Sequence, residues 1–340
     1  MKIKSLLIGS AALMTASSGA YAADAIVMAD PEPVEYVRVC DVYGAGFFYI
    51  PGTETCLKIG GYVRVELGFP AGFTGYTTLA RFAPAFDVRS ENEWGTLRGF
   101  AELEMNSSWG LFAAPGAAAG AAATTTLGQN NNFNVAHAFI EQTLGGGTLR
   151  LGRTHTPYAR FLGYGSWSTA GGSYGFRNTQ ELSYTFSGGN GFSAIVALVD
   201  NAGNASWSTD VEAGVNFAQG WGSIGAIAGY DSVAGTWGAK AVLRVGPANG
   251  FSAGLHVFYA SGAGVYNVGG TNWSVLGHVM YNFSPKAGLG FEAQWFDTGV
   301  WAFAAGMDLK PVTGLRIRPE VRYNTGTTAW TGLIRFDRTF

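Results

Sequence analysis

Seven arginines recur at alternate positions in stretches that also carry carboxylates: Arg64, Arg81, Arg89, Arg98, Arg316, Arg318 and Arg322. Glu66, Asp87, Glu102 and Glu320 accompany them. Successive strand side chains point to opposite faces, so each arginine shares a face with the polar residues of its own stretch. Guanidiniums on a wet face do electrostatic work: they pair with neighbouring acids or together set up a field that steers ions. Taken singly, each arginine reads as an ion-pair partner. Taken as a set, they read as a basic wall. Nucleophilic chemistry has weaker support. Gly171-Gly172-Ser173-Tyr174-Gly175 and Gly250-Phe251-Ser252-Ala253-Gly254 match the nucleophile-elbow pattern, but neither lies in the strand–turn–helix setting that an elbow needs. With 51 glycines in the chain, chance matches are expected. His137, His155, His256 and His278 show no metal-ligand spacing, so no catalytic site, metal or cofactor is expected.

The elements that must carry the arginines are strands. Leu57, Ile59, Val63, Val65, Leu67 and Phe69 share one parity; Lys58, Tyr62, Arg64 and Glu66 share the other. The alternation recurs at Leu97–Met105, Val211–Phe217, Ala239–Val245, Phe251–Tyr259, Leu289–Trp295 and Leu315–Tyr323. Around 132–143 the parity is ambiguous and no face is assigned. Only 13% of residues are charged, against 23 Phe, 15 Tyr and 10 Trp. Such a balance suits a transmembrane β-barrel, apolar and aromatic towards lipid and polar towards a wet lumen. No stretch approaches the ~18 apolar residues of a transmembrane helix. The net charge of −2 and the lack of a basic run speak against a nucleic-acid partner.

Short Gly/Pro/Asn turns at 145–147, 187–191, 218–220, 246–250, 284–288 and 311–314 alternate with other connections, some much longer, near 107–131, 154–178, 200–208 and 260–271. Short turns on one side and longer loops on the other is the outer-membrane asymmetry. From Cys56 to Phe340 the runs count to about 16 strands, an even number and wide enough for an aqueous channel. The fold class is therefore all-β: an antiparallel transmembrane barrel over 56–340. The connection after the fifth strand, roughly Thr154 to Asn178, is unusually long for a hairpin and long enough to fold inward and narrow the pore. The Ala-rich 107–131 stretch is a second long loop, suited to contact with a neighbour. The final run, Trp330 to Phe340, alternates and stops on an aromatic, as a strand that must pair with the barrel's first strand would. Arg338 occupies an apolar-parity position there and is expected to snorkel to the interface.

At the other end, Lys2 and Lys4, the short apolar core from Leu6 to Met14 and the site Ala20-Tyr21-Ala22 make an export signal over 1–22. Residues 23–55 are expected to be a periplasmic segment, extended and acidic at first. Cys40 and Cys56 then enclose a Gly- and aromatic-rich knot. In an oxidising compartment they read as a structural disulfide rather than a reactive thiol pair. A loop of that length gains roughly 3 kcal/mol in the chain-entropy account.

The start "KIKSLLIGSAA", the block "VRVCDVYGAGFFYIPGTETC", the internal "ELSYTFSGGNGFSAIVAL" and the end "RFDRTF" resemble the rhizobial-type outer-membrane porins of the alphaproteobacteria. The resemblance implies a 16-stranded homotrimer in the bacterial outer membrane, in contact with lipid and lipopolysaccharide. Its activity would be passive diffusion of small hydrophilic solutes, with the third loop forming the eyelet. A substrate-specific channel is the alternative; an enzyme is not expected. It further implies that Phe340 is the signal read by the barrel-insertion machinery, and that Ala23-Asp24 could serve as a covalent tether to peptidoglycan. The chain departs from the family in one respect. Thr154 to Gln180 contains no acid, yet carries His155, Arg160 and Arg177, the candidate constriction residues. A cation preference weaker than the family's is expected, towards neutral or anion-selective.

Overall fold

The computed structural model describes residues 38–73, 75–112, 126–163, 167–168, 175–201, 208–267 and 270–340. The export signal, Ala23 and the Ala-rich run 117–123 lie outside these residues.

The two-residue strand β1 (Phe48–Tyr49) pairs with the start of β2 (Cys56–Phe69). From β2 onward each strand pairs antiparallel with the next: β3 (Thr77–Asn92), β4 (Gly95–Phe112), β5 (Thr126–Leu144), β6 (Gly147–His155), β7 (Asn178–Ser187), β8 (Phe192–Asp200) and β9 (Thr209–Gln219). The meander continues through β10 (Gly222–Asp231), β11 (Thr236–Ala248), β12 (Phe251–Ala260), β13 (Trp273–Ser284), β14 (Ala287–Phe296), β15 (Trp301–Val312), β16 (Leu315–Asn324) and β17 (Ala329–Thr339). The last strand returns to the first long one, with Gly332 opposite Phe69 and Thr339 opposite Tyr62. Phe340 N–H donates to Gly61 O at 3.1 Å, and Gly61 N–H donates back at 3.2 Å. Among the described residues, β2–β17 thus form a closed barrel of sixteen strands. Phe340 itself lies on the outer surface, stacked on Phe82 at 6.0 Å.

Parity behaves as the sequence predicts. Val63, Val65, Val211, Val215, Leu255, Leu289 and Phe291 project outward, where lipid would cover them. Aromatics ring both ends. Trp237, Tyr259 and Trp273 pack with tilted rings at 4.8 and 4.6 Å near the long loops, and Phe251 lies on Tyr281 at 4.3 Å near the short turns. The unassigned stretch 132–143 has a physical explanation. Glu102 pairs with His137 but Leu103 with Val135, so Ala136 is the extra residue of a β-bulge. A one-residue insertion moves every later side chain to the other face. Phe133 therefore points outward, and after the bulge Ile140 does, while Phe139 is buried inside. The connection near 107–131 is shorter than its composition implies, because β4 runs to Phe112 and β5 begins at Thr126.

Cys40 and Cys56 are bonded and buried with Phe47. The knot they close sits against the luminal face of β2 and β3. Lys58 and Arg89 lie over the Phe47 ring at 5.8 and 5.1 Å, and Tyr43 donates to Glu91 Oε1 at 2.8 Å. Burial, then the bond to Glu91, pushes the Tyr43 phenol up to about 12.

An arginine at Leu255, mid-strand on the outer face, is expected to destabilise the barrel by about 2–4 kcal/mol. Equilibrium unfolding from lipid vesicles checks this; an unchanged midpoint would contradict the assignment of that face to lipid.

Candidate functional site: the lumen and its constriction loop

The connection between β6 and β7, 156–177, enters the barrel. It starts as a single helical turn, α1 (Pro157–Arg160), with proline at its first position, where a missing N–H costs nothing. Ala159 and Arg160 N–H both donate to Thr156 O. The Tyr158 N–H left over at the helix start donates to Glu212 Oε2 at 2.6 Å, a fully buried carboxylate on β9. Lys240 on β11 reaches Tyr158 O at 2.6 Å, and Arg244 donates to Leu162 O. Further along, Ser168 Oγ donates to Glu320 Oε1 on β16 at 2.8 Å, and Arg318 reaches Trp167 O at 3.4 Å. The loop therefore crosses the inner wall from β7 as far as β16.

Glycines on that wall make the close approach possible. A Cβ on Gly225 would lie 2.5 Å from Leu162 Cδ2, and one on Gly290 would lie 2.6 Å from Trp167 Cδ2. Between loop and wall lies a small apolar cluster: Tyr158, Leu162, Ile195, Ile227, Val242, Phe258, Tyr266 and Leu276.

The loop's return is fixed by charge. Arg177 pairs with Asp210 at 2.6 Å and with Glu212 at 3.3 Å, both acids fully buried on β9. Arg160 pairs with the buried Glu181 on β7 and reaches Ser183 Oγ at 3.2 Å. His155 is the last residue of β6, and its ring lies 4.7 Å from both His137 and Phe176. The three candidate constriction residues are thus brought to one region, and the charges of both arginines are balanced by wall acids. Tyr266, in the connection after β12, had no signal in the sequence. It packs on Tyr158 at 4.8 Å, and its hydroxyl lies 3.0 Å from Glu212 Oε1 and 3.3 Å from Arg177. Burial, with Glu212 beside it, raises the Tyr266 phenol above its ordinary range. Asp210 also accepts from Asn201 and Ser232, and Asp231 accepts from Asn201 and the Val265 N–H, so four connections meet at two acids. The polar parity of Asp210 and Glu212 was legible; their pairing with loop residues was not.

The wall arginines of the sequence reading face the lumen in pairs. Arg64 bonds Asp337 at 2.6 Å and lies 3.9 Å from Glu66. Arg81 pairs with Glu104, Arg322 with Glu320, and Arg316 with Asp308 at 2.5 Å. Arg318 lies 3.4 Å from Asp337. Arg89 and Arg98 share Asp87, and Arg98 and Arg150 share Glu141. Glu102 lines a separate luminal recess with His137 and His155. Arg150 and Arg335, the latter paired with Glu66, belong to the same ladders and were missed. Among the described residues, no three His, Cys, Asp or Glu are placed to hold a metal ion.

The sequence pattern of a family described as the porin subfamily matches residues 24–335. The chain belongs to the porin subfamily. Porin Omp2b of Brucella canis is 40% identical over 376 aligned residues, covering 100% of each chain, and that of Brucella melitensis is 39% identical with the same coverage. In fold, the barrel is similar to solved variants of the porin of Rhodopseudomonas blastica. One of these variants superposes with a TM-score of 0.59 at 16% identity, covering 84% of this chain and 100% of that one. As a porin, the barrel spans the bacterial outer membrane and meets lipid with its apolar face.

Removing the Glu212 side chain strips the loop of a partner at both ends and leaves Asp210 as the one acid on Arg177. Glu212→Ala is expected to raise open-channel current noise at least severalfold, read in single-channel records, since breaking a buried pair costs about 3–5 kcal/mol. Records as quiet as the unaltered protein's would show that Glu212 does not hold the loop.

Proposed function

We propose that this porin is a passive diffusion channel for small hydrophilic solutes and ions. One observation carries the reading: the constriction loop is bound along one part of the wall, β7 to β16, and the arginine ladders of β2 to β4 and β17 border luminal recesses. A sized, charged, water-filled hole needs no catalytic group, and a channel rather than an enzyme is the activity of the family.

Selectivity follows from the pairing. Glu181, Asp210 and Glu212 offset the charge of Arg160 and Arg177, so the loop adds little net field. The transverse field then comes from the wall ladders, where arginine and acid alternate. We read the channel as weakly selective. We further propose its partners: two more copies of the chain in a homotrimer, lipopolysaccharide at the outer rim, the insertion machinery reading Phe340, and peptidoglycan joined to Ala23. Recovery of the protein by detergent alone, with no muropeptide on Ala23, would remove the last of these.

Planar-bilayer recording under a KCl gradient tests the reading. Large steps in groups of three and a reversal potential near zero are expected, shifted only slightly by Arg160→Gln with Arg177→Gln. Strong preference for either ion, abolished by those substitutions, would place the field on the loop. Absence of conductance would overturn the channel itself.

A further inference from the structure

Arg89 on β3 and Arg98 on β4 are directly opposed across their ladder. Like charges so placed are destabilising. Asp87 offsets this. It receives Arg89 Nε at 2.8 Å and Nη2 at 2.9 Å, and Arg98 Nε at 3.0 Å and Nη2 at 2.9 Å. Arg98 Nη1 then reaches Glu141 Oε2 at 2.7 Å, and Arg150 Nε meets Glu141 Oε1 at 2.8 Å. The chain of charges begins and ends in arginine, with three guanidiniums to two carboxylates. Each guanidinium offers five N–H donors in a rigid fork. Arg89 and Arg150 commit only Nε and Nη2 to these acids, which leaves the Nη1 edge of each outside the ion pair.

Aromatic rings hold these planes from one side. Arg150 lies over Phe139 at 4.4 Å, Arg98 over Phe100 at 4.8 Å, and Arg89 over Phe47 at 5.1 Å. The three arginines border a luminal recess of about 490 Å³, which Arg160 of the loop also borders. Next to the guanidinium rung runs a rung of hydroxyls on the same recess: Thr143 is opposite Thr148, and Thr148 is opposite Thr185. Glu141 also lines the recess, its carboxylate taken up by Arg98 and Arg150, whereas Glu91, a further acid on β3, accepts from Thr96 and Tyr43 and does not.

We propose that this recess is a binding site for a phosphate group passing through the pore. Forked guanidiniums match the paired oxygens of a tetrahedral oxyanion, and charge-assisted bonds of this kind are about twice as strong as neutral ones. Hydroxyl donors on the adjoining rung complete the coordination of the oxygens that the arginines do not reach. A chloride ion has no edge for a fork to match, so the site discriminates by shape as well as charge. The proposal rests on the channel reading, since the recess is reached only through the lumen.

The experiment is chloride current through the full-length protein in a planar bilayer, titrated with inorganic phosphate at constant ionic strength, with gluconate as the control anion. Current in KCl before phosphate is added tests the channel alone. Phosphate is expected to reduce the current saturably and gluconate is not. Arg150→Gln, and equally Arg150→Lys, which keeps the charge but loses the fork, are expected to raise the half-saturating concentration about tenfold. The neutral double change Thr148→Val with Thr185→Val is expected to raise it about threefold or more. Glycerol phosphate run in parallel separates two sources: saturation by both assigns the group on a larger solute, and saturation by inorganic phosphate alone assigns the free anion. A linear, non-saturating effect of phosphate would overturn the site. So would wild-type saturation in both Arg150→Lys and the threonine variant, because a general field would then explain the data.

Discussion

Hydrocarbon offers no hydrogen-bond partner to the backbone, and the rest of this structure depends on that constraint. Each N–H or C=O left unpaired in the bilayer costs several kcal/mol, so a sheet in lipid must close on itself. Here closure is the ladder between β17 and β2, finished by the reciprocal bonds of Phe340 and Gly61. Once the cylinder closes, alternation gives two environments without further instruction. One parity must be apolar and the other is enclosed with water. The arginines and acids are where they are because the second parity is the only place in the membrane where they can ionise.

The interior then has to be shaped, and here polar contacts do what apolar packing does in a soluble core. The constriction loop buries one small cluster against β8–β13, too small to fix a long segment. Its course is set by directional bonds: Tyr158 N–H to Glu212, Lys240 to Tyr158 O, Arg177 to Asp210, Ser168 to Glu320. Buried ion pairs contribute little net stability, because desolvation offsets their attraction. Their contribution is position. A loop without acids lies on a wall with acids, and the two surfaces fit by charge and by the glycine gaps under Leu162 and Trp167.

Much of this was legible in the residues. Alternation at Leu57–Phe69 and Leu315–Tyr323 gave strands, faces and the luminal arginines, because a period of two survives in any strand that pairs regularly. The long run after the fifth barrel strand gave the loop. The stretch 132–143 resisted, because the bulge at Ala136 switches parity within one strand. Tyr266 was illegible for a different reason: nothing in a connection's composition says which wall it will touch. The pairing of Arg160 with Glu181, and of Arg177 with Asp210, was also out of reach. It depends on the path of a loop across strands far apart in sequence, whereas counting charges on the loop alone pointed to a basic constriction.

Diffusion through this porin requires a continuous aqueous path through the barrel beside the bound loop. Swelling of proteoliposomes in isotonic sugars measures that path directly. Uptake is predicted to be fast for a pentose, to fall steeply with each added sugar ring, and to show no saturation with concentration. Vesicles that fail to swell in any sugar, although the barrel is folded and inserted, would contradict it.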